Sequence, residues 1–362
     1  MSVFSERADR LEWLAQQEQL DLLLVTNLTN VHYLTGFAGT NGLCIVGSGK
    51  RVFVTDFRYT ARAENEVRDW ELHEGKRDLL ESVVEVAIAE SEEGPVRLGF
   101  DDAHMSVRQH ARLAGLAGDE VELVAAAGLV EKLREVKDAK EIEAIRAATS
   151  LADDLYRWLI AEHGLAGHTE RAVAIALERR ALDMGTSMSF PPIVAAAENA
   201  ALPHAEPRDA EIPRDTLVVV DMGCTRDGYC SDCTRTFATG EIGGEAQGCY
   251  ELVKQAQAAA LERARAGAAA QEVDAAAREI IGRAGHGEHF GHGVGHGVGL
   301  EVHEGPRLAP GTKSLLAEGN IVTIEPGVYL PGRFGARIED LVVVRDDEPE
   351  VLTGVSKDLT IV

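Results

Sequence analysis

Residues 286–304 concentrate side chains that can coordinate a metal ion or exchange protons. Five of the chain's twelve histidines lie in this stretch, separated by glycines that let the backbone approach a bound ion or substrate closely. These are His286, His289, His292, His296 and His303. A flexible surface loop that collects stray metal would have the same composition, so the stretch indicates a site only if other ligands join it.

Four acidic residues could supply those ligands, because each lies at or within an apolar segment typical of a buried strand. They are Asp221, Asp232, Glu325 and Glu339. Between the first two, Asp227-Gly228 is a strong hairpin-turn signal. The flanking strands should therefore fold back and bring Asp221 and Asp232 side by side.

Carboxylates that cluster repel one another and raise each other's pKa, so four in one place need strong positive charge nearby. Ion pairs with Arg235 and Arg337 are one solution. Divalent cations are the more economical one for the whole set. One histidine with four carboxylates is a hard, oxygen-rich ligand set that favours Mn²⁺ over a structural zinc. Five ligands, two of them able to bridge, suit two ions about 3.5–4 Å apart, which can activate a water and polarise a carbonyl.

The segment Cys230-Ser231-Asp232-Cys233 has the spacing of a redox or zinc motif. The chain holds five cysteines and no second pair of this kind. Because Asp232 is needed in the acidic cluster, we interpret the two cysteines as reduced, packed thiols.

Long helices and short strands must position these residues. Asp138 to Glu141 read as a capping box that begins a long helix. Three further helices are predicted: from near Thr169 to Gly185, from about Ala246 to Ala266, and from Gln271 to Ala284. Helices grouped over one mostly antiparallel sheet indicate an α+β fold.

The histidine stretch itself has too many glycines for a helix. We expect irregular chain that passes into a strand. On a strand, side chains two residues apart share a face, so His292, Val294 and His296 should line up toward one cavity.

The first 125 or so residues alternate short apolar strands with helices, which is typical of an α/β domain. We place the boundary so that residues 1–127 form this domain and residues 128–362 carry the chemistry. Two N-terminal segments, residues 36–42 and 55–59, lack metal-site or phosphate-loop spacing, and we interpret them as structural.

Composition excludes several classes of protein. Thirty-six basic residues against sixty acidic ones give a formal charge of -24, which opposes binding to nucleic acid or an anionic membrane. No segment has the uninterrupted apolar run of about 20 residues that spans a bilayer, and residues 1–7 do not resemble a signal peptide. The few cysteines fit a reducing compartment, so we expect a cytoplasmic protein.

Several ordered motifs between residues 130 and 362 resemble the pita-bread metallopeptidases, in the branch that contains aminopeptidase P and prolidase. The motifs are Leu202-Pro203-His204, Asp221-Met222-Gly223, Ser231-Asp232-Cys233-Thr234-Arg235-Thr236, His292-Gly293-Val294-Gly295-His296, Val302-His303-Glu304, Ile324-Glu325-Pro326-Gly327 and Arg337-Ile338-Glu339-Asp340. The first 125 residues look like that branch's creatinase-like N-terminal domain. The resemblance implies an α+β pita-bread catalytic domain and a homodimer.

Carried over residue by residue, the resemblance implies that Asp221 holds one metal ion, that His296 and Glu325 hold the other, and that Asp232 and Glu339 bridge the two. The two ions would be Mn²⁺, with Co²⁺ and Zn²⁺ as alternatives. Since all five ligands are present, the chain differs from creatinase, which shares the fold and works without metal. Its N-terminal domain distinguishes it from a simple methionine aminopeptidase.

The resemblance also implies a mechanism. A hydroxide held between the metals would attack the carbonyl of an Xaa-Pro bond, with Glu325 transferring a proton. Three histidines would line the pocket and stabilise the tetrahedral intermediate: His204, His292 and His303. Arg337 and Thr234 would orient the carboxylates from behind.

Two histidines, His286 and His289, match no catalytic position and are predicted to be exposed to solvent. One departure from the family pattern is Ala196-Ala197, where the family usually has Ser-Gly. If that loop contacts substrate, the substrate preference could shift.

The expected substrate is a proline-containing peptide. Residues 36–42 and 55–59 look more like the aminopeptidase P members, so we expect release of the N-terminal residue from Xaa-Pro peptides. Prolidase, an Xaa-Pro dipeptidase, is the alternative. A more remote one is a non-catalytic pita-bread protein that binds a partner, although such relatives usually lose ligands.

Overall fold

The computed structural model describes residues 2–89 and 94–362. The chain divides into two compact units, one ending at Arg134 and the other spanning Glu135–Val362. Residues 1 and 90–93, which the predicted N-terminal domain includes, lie outside the described residues. The predicted boundary after residue 127 falls near this division and stays a prediction. Across the described residues, no helix is both long and apolar enough to cross a bilayer.

A mixed six-stranded sheet forms the centre of the first unit. Its strands are β1 (Leu22–Val25), β2 (Leu43–Gly47), β3 (Lys50–Asp56), β4 (Glu71–Gly75), β5 (Val96–Phe100) and β6 (Val121–Ala125). Their order across the sheet is β4-β3-β2-β1-β5-β6. The outer pairs β3–β4 and β5–β6 are parallel, as is β1–β5, whereas β2 runs antiparallel to both of its neighbours.

Helices alternate with these strands, as the sequence predicts for an α/β domain. They are α1 (Val3–Gln17), α2 (Leu28–Thr35), α3 (Thr60–Glu66), α4 (Leu79–Ile88) and α5 (Val107–Ala117), with α6 (Leu129–Glu135) at the division between the units. Leu22 and Ile45 of the sheet are fully buried in one cluster with Val83 of α4. Burial of this apolar surface is the main force that holds helices on a sheet.

Residues 36–42 and 55–59 of the first unit bind each other. Arg58 donates two hydrogen bonds, of 2.9 and 2.7 Å, to the buried carboxylate of Asp56, which also accepts one from Asn41 Nδ2. The Thr55 hydroxyl donates to the Asn41 carbonyl over 2.7 Å. These polar groups satisfy one another, which agrees with the structural interpretation of the two segments; that interpretation stays a prediction.

Four long helices cover the second unit. They are α7 (Ala139–Trp158), α8 (Glu170–Asp183), α9 (Gly244–Arg263) and α10 (Ala270–Arg283). The predicted capping box of α7 is present. The Asp138 side chain accepts a hydrogen bond from the Glu141 backbone N–H, and the Glu141 side chain accepts one from the Asp138 backbone N–H. Ala256 and Ala277 are fully buried in the core cluster that α9 and α10 share, where their small side chains allow close packing.

Every pairing between the named strands of the second unit is antiparallel, and one isolated parallel bridge joins Ala238 to Ile361. The strands are β7 (Ile193–Ala196), β8 (Leu217–Asp221), β9 (Thr225–Arg226), β10 (Tyr229–Cys230), β11 (Thr234–Ala238), β12 (Gly295–Gly297), β13 (Glu304–Leu308), β14 (Ile321–Ile324), β15 (Gly327–Leu330), β16 (Phe334–Arg337), β17 (Asp340–Val343) and β18 (Glu350–Val351). They form sheets β11-β8-β7 and β13-β12-β14-β17-β18 and the pairs β9–β10 and β15–β16. The expected α+β class is therefore found, but the single sheet we expected is divided.

The histidine stretch forms less strand than expected. Before β13 begins at Glu304, strand is confined to Gly295–Gly297, a 3₁₀ turn spans Gly287–His289, and the segment from His292 to Val294 is irregular. A Cβ atom on Gly295 would lie 1.9 Å from the Thr323 carbonyl oxygen, so the backbones touch where no side chain fits. Val294 is fully buried in the core, whereas His292 and His296 are only half-buried.

A short 3₁₀ turn, Ala197–Ala201, follows β7 at the departure from the family pattern. Ala197 has a φ of 50°, in the left-handed region that favours glycine. The buried Glu170 carboxylate accepts hydrogen bonds of 2.8 Å from the Ala196 backbone and from Asn199 Nδ2. These bonds hold the turn although an alanine occupies the strained position.

Replacing Ala197 by glycine should therefore raise the free energy of unfolding. Relief of the left-handed penalty, roughly 1–2 kcal/mol, exceeds the roughly 0.4–1 kcal/mol that glycine costs through the unfolded chain. The matched control is Ala196→Gly, because Ala196 has an extended φ of -111° and gains no such relief. Thermal unfolding should show a higher Tm for Ala197→Gly and a lower one for Ala196→Gly. Equal losses in both variants would contradict the strain.

Candidate metal centre

Two antiparallel strands deliver the first pair of acidic residues. Asp221 ends β8, where it lies opposite Thr234 of β11. The predicted hairpin is present, since Arg226 pairs with Tyr229 across Asp227 and Gly228, whose φ values are 50° and 84°. Positive φ at both central residues defines a type I′ turn. The turn leads the chain back through Asp232 toward β11.

The second pair arrives on neighbouring strands of the other sheet. Glu325 follows β14, and Glu339 lies between β16 and β17. The Glu339 backbone N–H donates to the Thr234 carbonyl over 3.1 Å. This bond joins the two sheets where the carboxylates meet.

Three of the five predicted ligands are in direct reach of one another, and a fourth, Glu325, is in reach of His296. Atoms of Asp232, His296 and Glu339 that can bind a metal all lie within 4.8 Å of one another. His296 Nε2 is 3.8 Å from Asp232 Oδ2 and 3.2 Å from Glu325 Oε1. The fifth predicted ligand, Asp221, binds Arg337, as described next.

Arg337 connects the carboxylates. Its Nη2 donates to Asp221 Oδ2 over 2.7 Å, and its Nε donates to the Thr234 hydroxyl over 2.9 Å. That hydroxyl donates in turn to Glu339 Oε2 over 2.7 Å. An ion pair with arginine therefore compensates the charge of Asp221. Arg235, the second arginine that the sequence offered for such pairs, binds Asp340 instead, over 2.7 Å.

Uncompensated negative charge remains in the centre. Burial raises the pKa of Asp232 well above its usual range, and the charges of Glu339 and Asp221 raise it further. Burial, with the charges of Glu325 and Asp221, does the same for Glu339. Burial also raises the pKa of Asp221, although Arg337 opposes it. One guanidinium on Asp221 and one histidine beside Glu325 do not balance four carboxylates.

The residues fit divalent metal ions. Among the described residues, Asp221 Oδ1 and Glu339 Oε1 are buried oxygen atoms without a hydrogen-bond partner. A buried carboxylate oxygen without a donor is costly unless a cation meets it. Both oxygen atoms belong to residues that the family resemblance identified as metal ligands. The set of possible ligands is rich in oxygen, which Mn²⁺ prefers.

His296 faces Glu325. Its Nδ1 lies 3.0 Å from the Gly297 carbonyl, which leaves Nε2 directed at the acids. Burial alone would lower the pKa of His296, but the Glu325 carboxylate reverses this and the net direction is upward. Burial would likewise raise the pKa of Glu325, yet the His296 partner lowers it to about 2. Without metal the two form an ion pair, and a bound cation would compete for both.

The three predicted pocket histidines lie around this centre. The rings of His303 and His296 meet edge to face with centroids 4.5 Å apart. His204 is close enough for its charge to influence the pKa of both His292 and His303. Burial lowers the pKa of His292, so its imidazole is neutral at neutral pH.

Tyr329 is a site residue that the sequence interpretation missed. Its buried hydroxyl lies 2.9 Å from His292 Nε2 and 3.1 Å from Arg337 Nη1. It therefore links a pocket histidine to the arginine behind the carboxylates. No motif marks it, because a tyrosine in an apolar strand is usual; the only signal is that its hydroxyl must find a partner when buried.

The prediction for His286 and His289 is wrong in part. Both are half-buried rather than exposed, and their Nδ1 atoms lie 3.4 Å apart, so each ring covers the other. The prediction for the cysteines is confirmed, since all five are free and buried. Burial raises the pKa of Cys233 well above its usual range, so its thiol stays protonated.

A second group of possible ligands lies in the first unit, where the sequence indicated no chemistry. Asp101, His104 and Glu131 present atoms within 4.8 Å of one another. Here the carboxylates already have donors: the Ala103 backbone N–H to Asp101 over 3.0 Å and Asn30 Nδ2 to Glu131 over 2.6 Å. This group lacks the orphan oxygens of the metal centre.

Comparison with known proteins assigns the chain to a family. Residues 143–346 match metallopeptidase family M24, and residues 7–136 match the creatinase/prolidase N-terminal domain. The chain belongs to metallopeptidase family M24. The predicted α/β N-terminal domain and pita-bread catalytic domain are thereby confirmed, and membership of the family implies divalent metal ions.

Relatives of this M24 peptidase match it along almost its whole length. It is 31% identical over 365 residues to the Xaa-Pro dipeptidase of Pyrococcus horikoshii, covering 99% of this chain and 100% of that one. The structure of an Xaa-Pro dipeptidase from Bacillus anthracis has a TM-score of 0.94 and 34% identity over 99% of this chain and 100% of that one. An X-Pro aminopeptidase from Thermotoga maritima has a TM-score of 0.87 and 33% identity over 98% and 100%.

Charge repulsion in this M24 peptidase predicts that Asp232→Asn stabilises the metal-free protein. At pH values between the ordinary aspartate pKa of about 3.9 and the raised pKa of Asp232 in the folded protein, Asp232 is protonated in the folded state and ionised in the unfolded state. Stability therefore falls as the pH rises through this range. Asparagine removes this loss, worth about 1.4 kcal/mol for each pH unit crossed. After dialysis against EDTA, the Tm advantage of Asp232→Asn should be larger at pH 8 than at pH 4.

The control for this experiment is Asp227→Asn. Asp227 lies in the nearby turn with its side chain 78% exposed, so its replacement should leave the pH dependence of Tm unchanged. A Tm difference for Asp232→Asn that does not vary with pH would show that the acids do not repel one another.

Proposed function

We propose that this protein is a prolidase, a metal-dependent Xaa-Pro dipeptidase that hydrolyses the bond preceding proline in dipeptides. The observation that carries the proposal is similarity along the whole chain. The fold is closer to the Bacillus anthracis dipeptidase, at a TM-score of 0.94, than to the Thermotoga maritima aminopeptidase, at 0.87. The Pyrococcus horikoshii dipeptidase adds 31% identity over 99% of the chain.

The aminopeptidase P activity expected from the sequence has less support. That expectation depended on residues 36–42 and 55–59. In the structure, Asn41, Asp56 and Arg58 direct their polar groups at one another, so their presence is explained by local packing and does not favour longer peptides. Aminopeptidase P remains the second candidate because of the Thermotoga maritima structure. The non-catalytic alternative is disfavoured, since all five proposed ligands are retained.

We assign Asp221, Asp232, His296, Glu325 and Glu339 as the ligands of two divalent ions, with Mn²⁺ favoured by the carboxylate-rich set and Co²⁺ and Zn²⁺ as alternatives. When bound, such ions activate a water and polarise the scissile carbonyl. The chain's own residues do the rest. Arg337 and Thr234 fix the carboxylates through the bonds described above, which is the usual role of groups behind a metal ligand.

Glu325 is the residue we assign to proton transfer. It lies at the edge of the centre with 16% of its side chain exposed, so its carboxylate can exchange a proton with a group in the pocket. His204 and His303 would donate to the oxygen of the carbonyl as negative charge develops there. The neutral His292 directs Nδ1 at the Gly293 carbonyl and accepts at Nε2 from the Tyr329 hydroxyl, so it would line the pocket beside them. A cytoplasmic homodimer remains a prediction from the sequence.

The substrate assay separates the two candidate activities. We expect the Mn²⁺-loaded protein to cleave Ala-Pro with a kcat/KM at least about tenfold above that for Ala-Pro-Gly, a difference of about 1.4 kcal/mol in transition-state binding. Release of alanine is the measurement for both substrates. Preferential cleavage of the tripeptide would instead assign the aminopeptidase P activity.

Substitution of a bridging ligand tests the metal assignment. Asp232→Ala should lose activity by more than the roughly 10–100-fold typical of removing a partner behind a ligand, and its bound metal, measured by mass spectrometry, should fall below two ions per chain. Thr234→Val is the matched control, because Thr234 hydrogen-bonds to a proposed ligand without being one, and it should show only the smaller, roughly 10–100-fold loss of activity. EDTA should abolish wild-type activity and added Mn²⁺ should restore it. An active Asp232→Ala variant with full metal content would refute the assignment.

A further inference from the structure

An ion pair in α10 between the half-buried Arg278 and the buried Asp274 lies outside the metal centre. Arg278 donates from Nε and Nη2 to the two carboxylate oxygens of Asp274, both over 2.8 Å. Asp274 is 1% exposed, so its charge needs this partner. The spacing of four residues is that of an ordinary helical ion pair.

This pair also binds the backbone of the loop that carries His292. Arg278 Nη1 donates to the Phe290 carbonyl over 2.8 Å, and Nη2 donates to the His292 carbonyl over 2.7 Å. Asp274 Oδ1 accepts from the Val294 backbone N–H over 3.0 Å. Asp274 and Arg278, which together we call the α10 clamp, therefore bind three alternate residues of one irregular segment.

The same segment touches the reaction centre from its other side. The Val294 carbonyl accepts from the Glu325 backbone N–H over 2.8 Å. The ring of His292 packs edge to face on Phe290, with centroids 5.1 Å apart, and its Nε2 meets the Tyr329 hydroxyl. The guanidinium of Arg278 lies 4.2 Å from the centre of the Phe290 ring. The clamp thus reaches both His292 and Glu325 through the main chain.

The glycines of this segment make its shape depend on tertiary contacts, of which the clamp supplies three. Gly291, Gly293 and Gly295 alternate with its larger residues, and glycine has the greatest backbone freedom of any residue. Regular strand begins only at Gly295. Arginine suits the task because its rigid fork can bind a carboxylate and two carbonyls at once, which lysine cannot do.

We propose that Asp274 and Arg278 are positioning residues that hold the His292 imidazole in place through the main chain of residues 290–294. The assignment rests on the proposed peptidase function for its effect on rate. Misplacing a catalytic group by about 1 Å can cost roughly a hundredfold in rate. Loss of the clamp therefore lowers kcat while the metal ions, held by other residues, stay bound.

A neighbouring pair provides a matched control. Glu279 and Arg283 form an ion pair with the same four-residue spacing on the same helix, but their side chains are 61% and 75% exposed. If α10 needed only a helical ion pair, the two pairs would be equivalent. Arg283→Ala should leave kcat, KM and the exchange behaviour of the loop unchanged.

The test uses the Mn²⁺-loaded protein and the variants Arg278→Ala, Arg278→Lys and Arg283→Ala. Ala-Pro hydrolysis should show kcat reduced roughly 10- to 100-fold in Arg278→Ala, with KM within about threefold of the parent. The kcat of Arg278→Lys should fall less, because lysine keeps a positive charge beside Asp274. This variant replaces Arg278→Ala in the test if the alanine variant does not fold. Bound metal should remain equal to that of the parent in every variant.

Two further measurements separate positioning from general stability. Arg278→Ala should lower kcat by less than about twofold when His292 is already alanine, because the two substitutions remove the same interaction. Hydrogen exchange followed by mass spectrometry should show faster exchange over residues 290–294 in Arg278→Ala, and no change in Arg283→Ala.

The outcomes distinguish this inference from the proposed function. A parent protein inactive on Xaa-Pro peptides would refute the proposed function, while the exchange experiment would still decide whether the clamp holds the loop. Unchanged exchange over residues 290–294 would overturn the clamp. Faster exchange with an unchanged kcat, or a full additional loss in the His292→Ala background, would overturn its action through His292.

Discussion

The arrangement of the second unit depends on the convergence of four carboxylates, three of them buried, around one histidine. Negative charges in a dry interior are costly unless cations meet them. Arg337 pairs with one of the four, Asp221, and two oxygen atoms in the set have no donor among the described residues. Much of the surrounding structure can be understood as holding these acids together, from the Thr234 hydroxyl between Arg337 and Glu339 to the bond that joins the two sheets.

Much of this centre could be predicted from the sequence because its signals are local. Apolar strands that end in acids, the Asp227-Gly228 turn and the Asp138 capping box depend on a few adjacent residues, and the structure has all of them. Strand periodicity was a poorer guide in the histidine stretch. There the glycines permit close contacts between backbones, such as that of Gly295 with Thr323, and these override the expected alternation.

Tertiary contacts account for what the sequence did not reveal. Asp274 with Arg278 and Glu279 with Arg283 have the same spacing on one helix, and nothing in either pair says which will be buried. Only packing against residues 290–294 separates them. Tyr329 is similar, since its role depends on which groups its hydroxyl meets. The exposure predicted for His286 and His289 failed because each is covered by the other ring.

The joining of two sheets at the metal centre has a consequence for the protein's life in a cell. The proposed ligands come from positions as far apart in the chain as Asp221 and Glu339, so bound ions would act as a cross-link between distant segments. Anything that binds only the folded state shifts the folding equilibrium by mass action. Metal scarcity would then shorten the lifetime of the polypeptide against cellular proteases, and its abundance, as well as its turnover rate, would follow the metal supply.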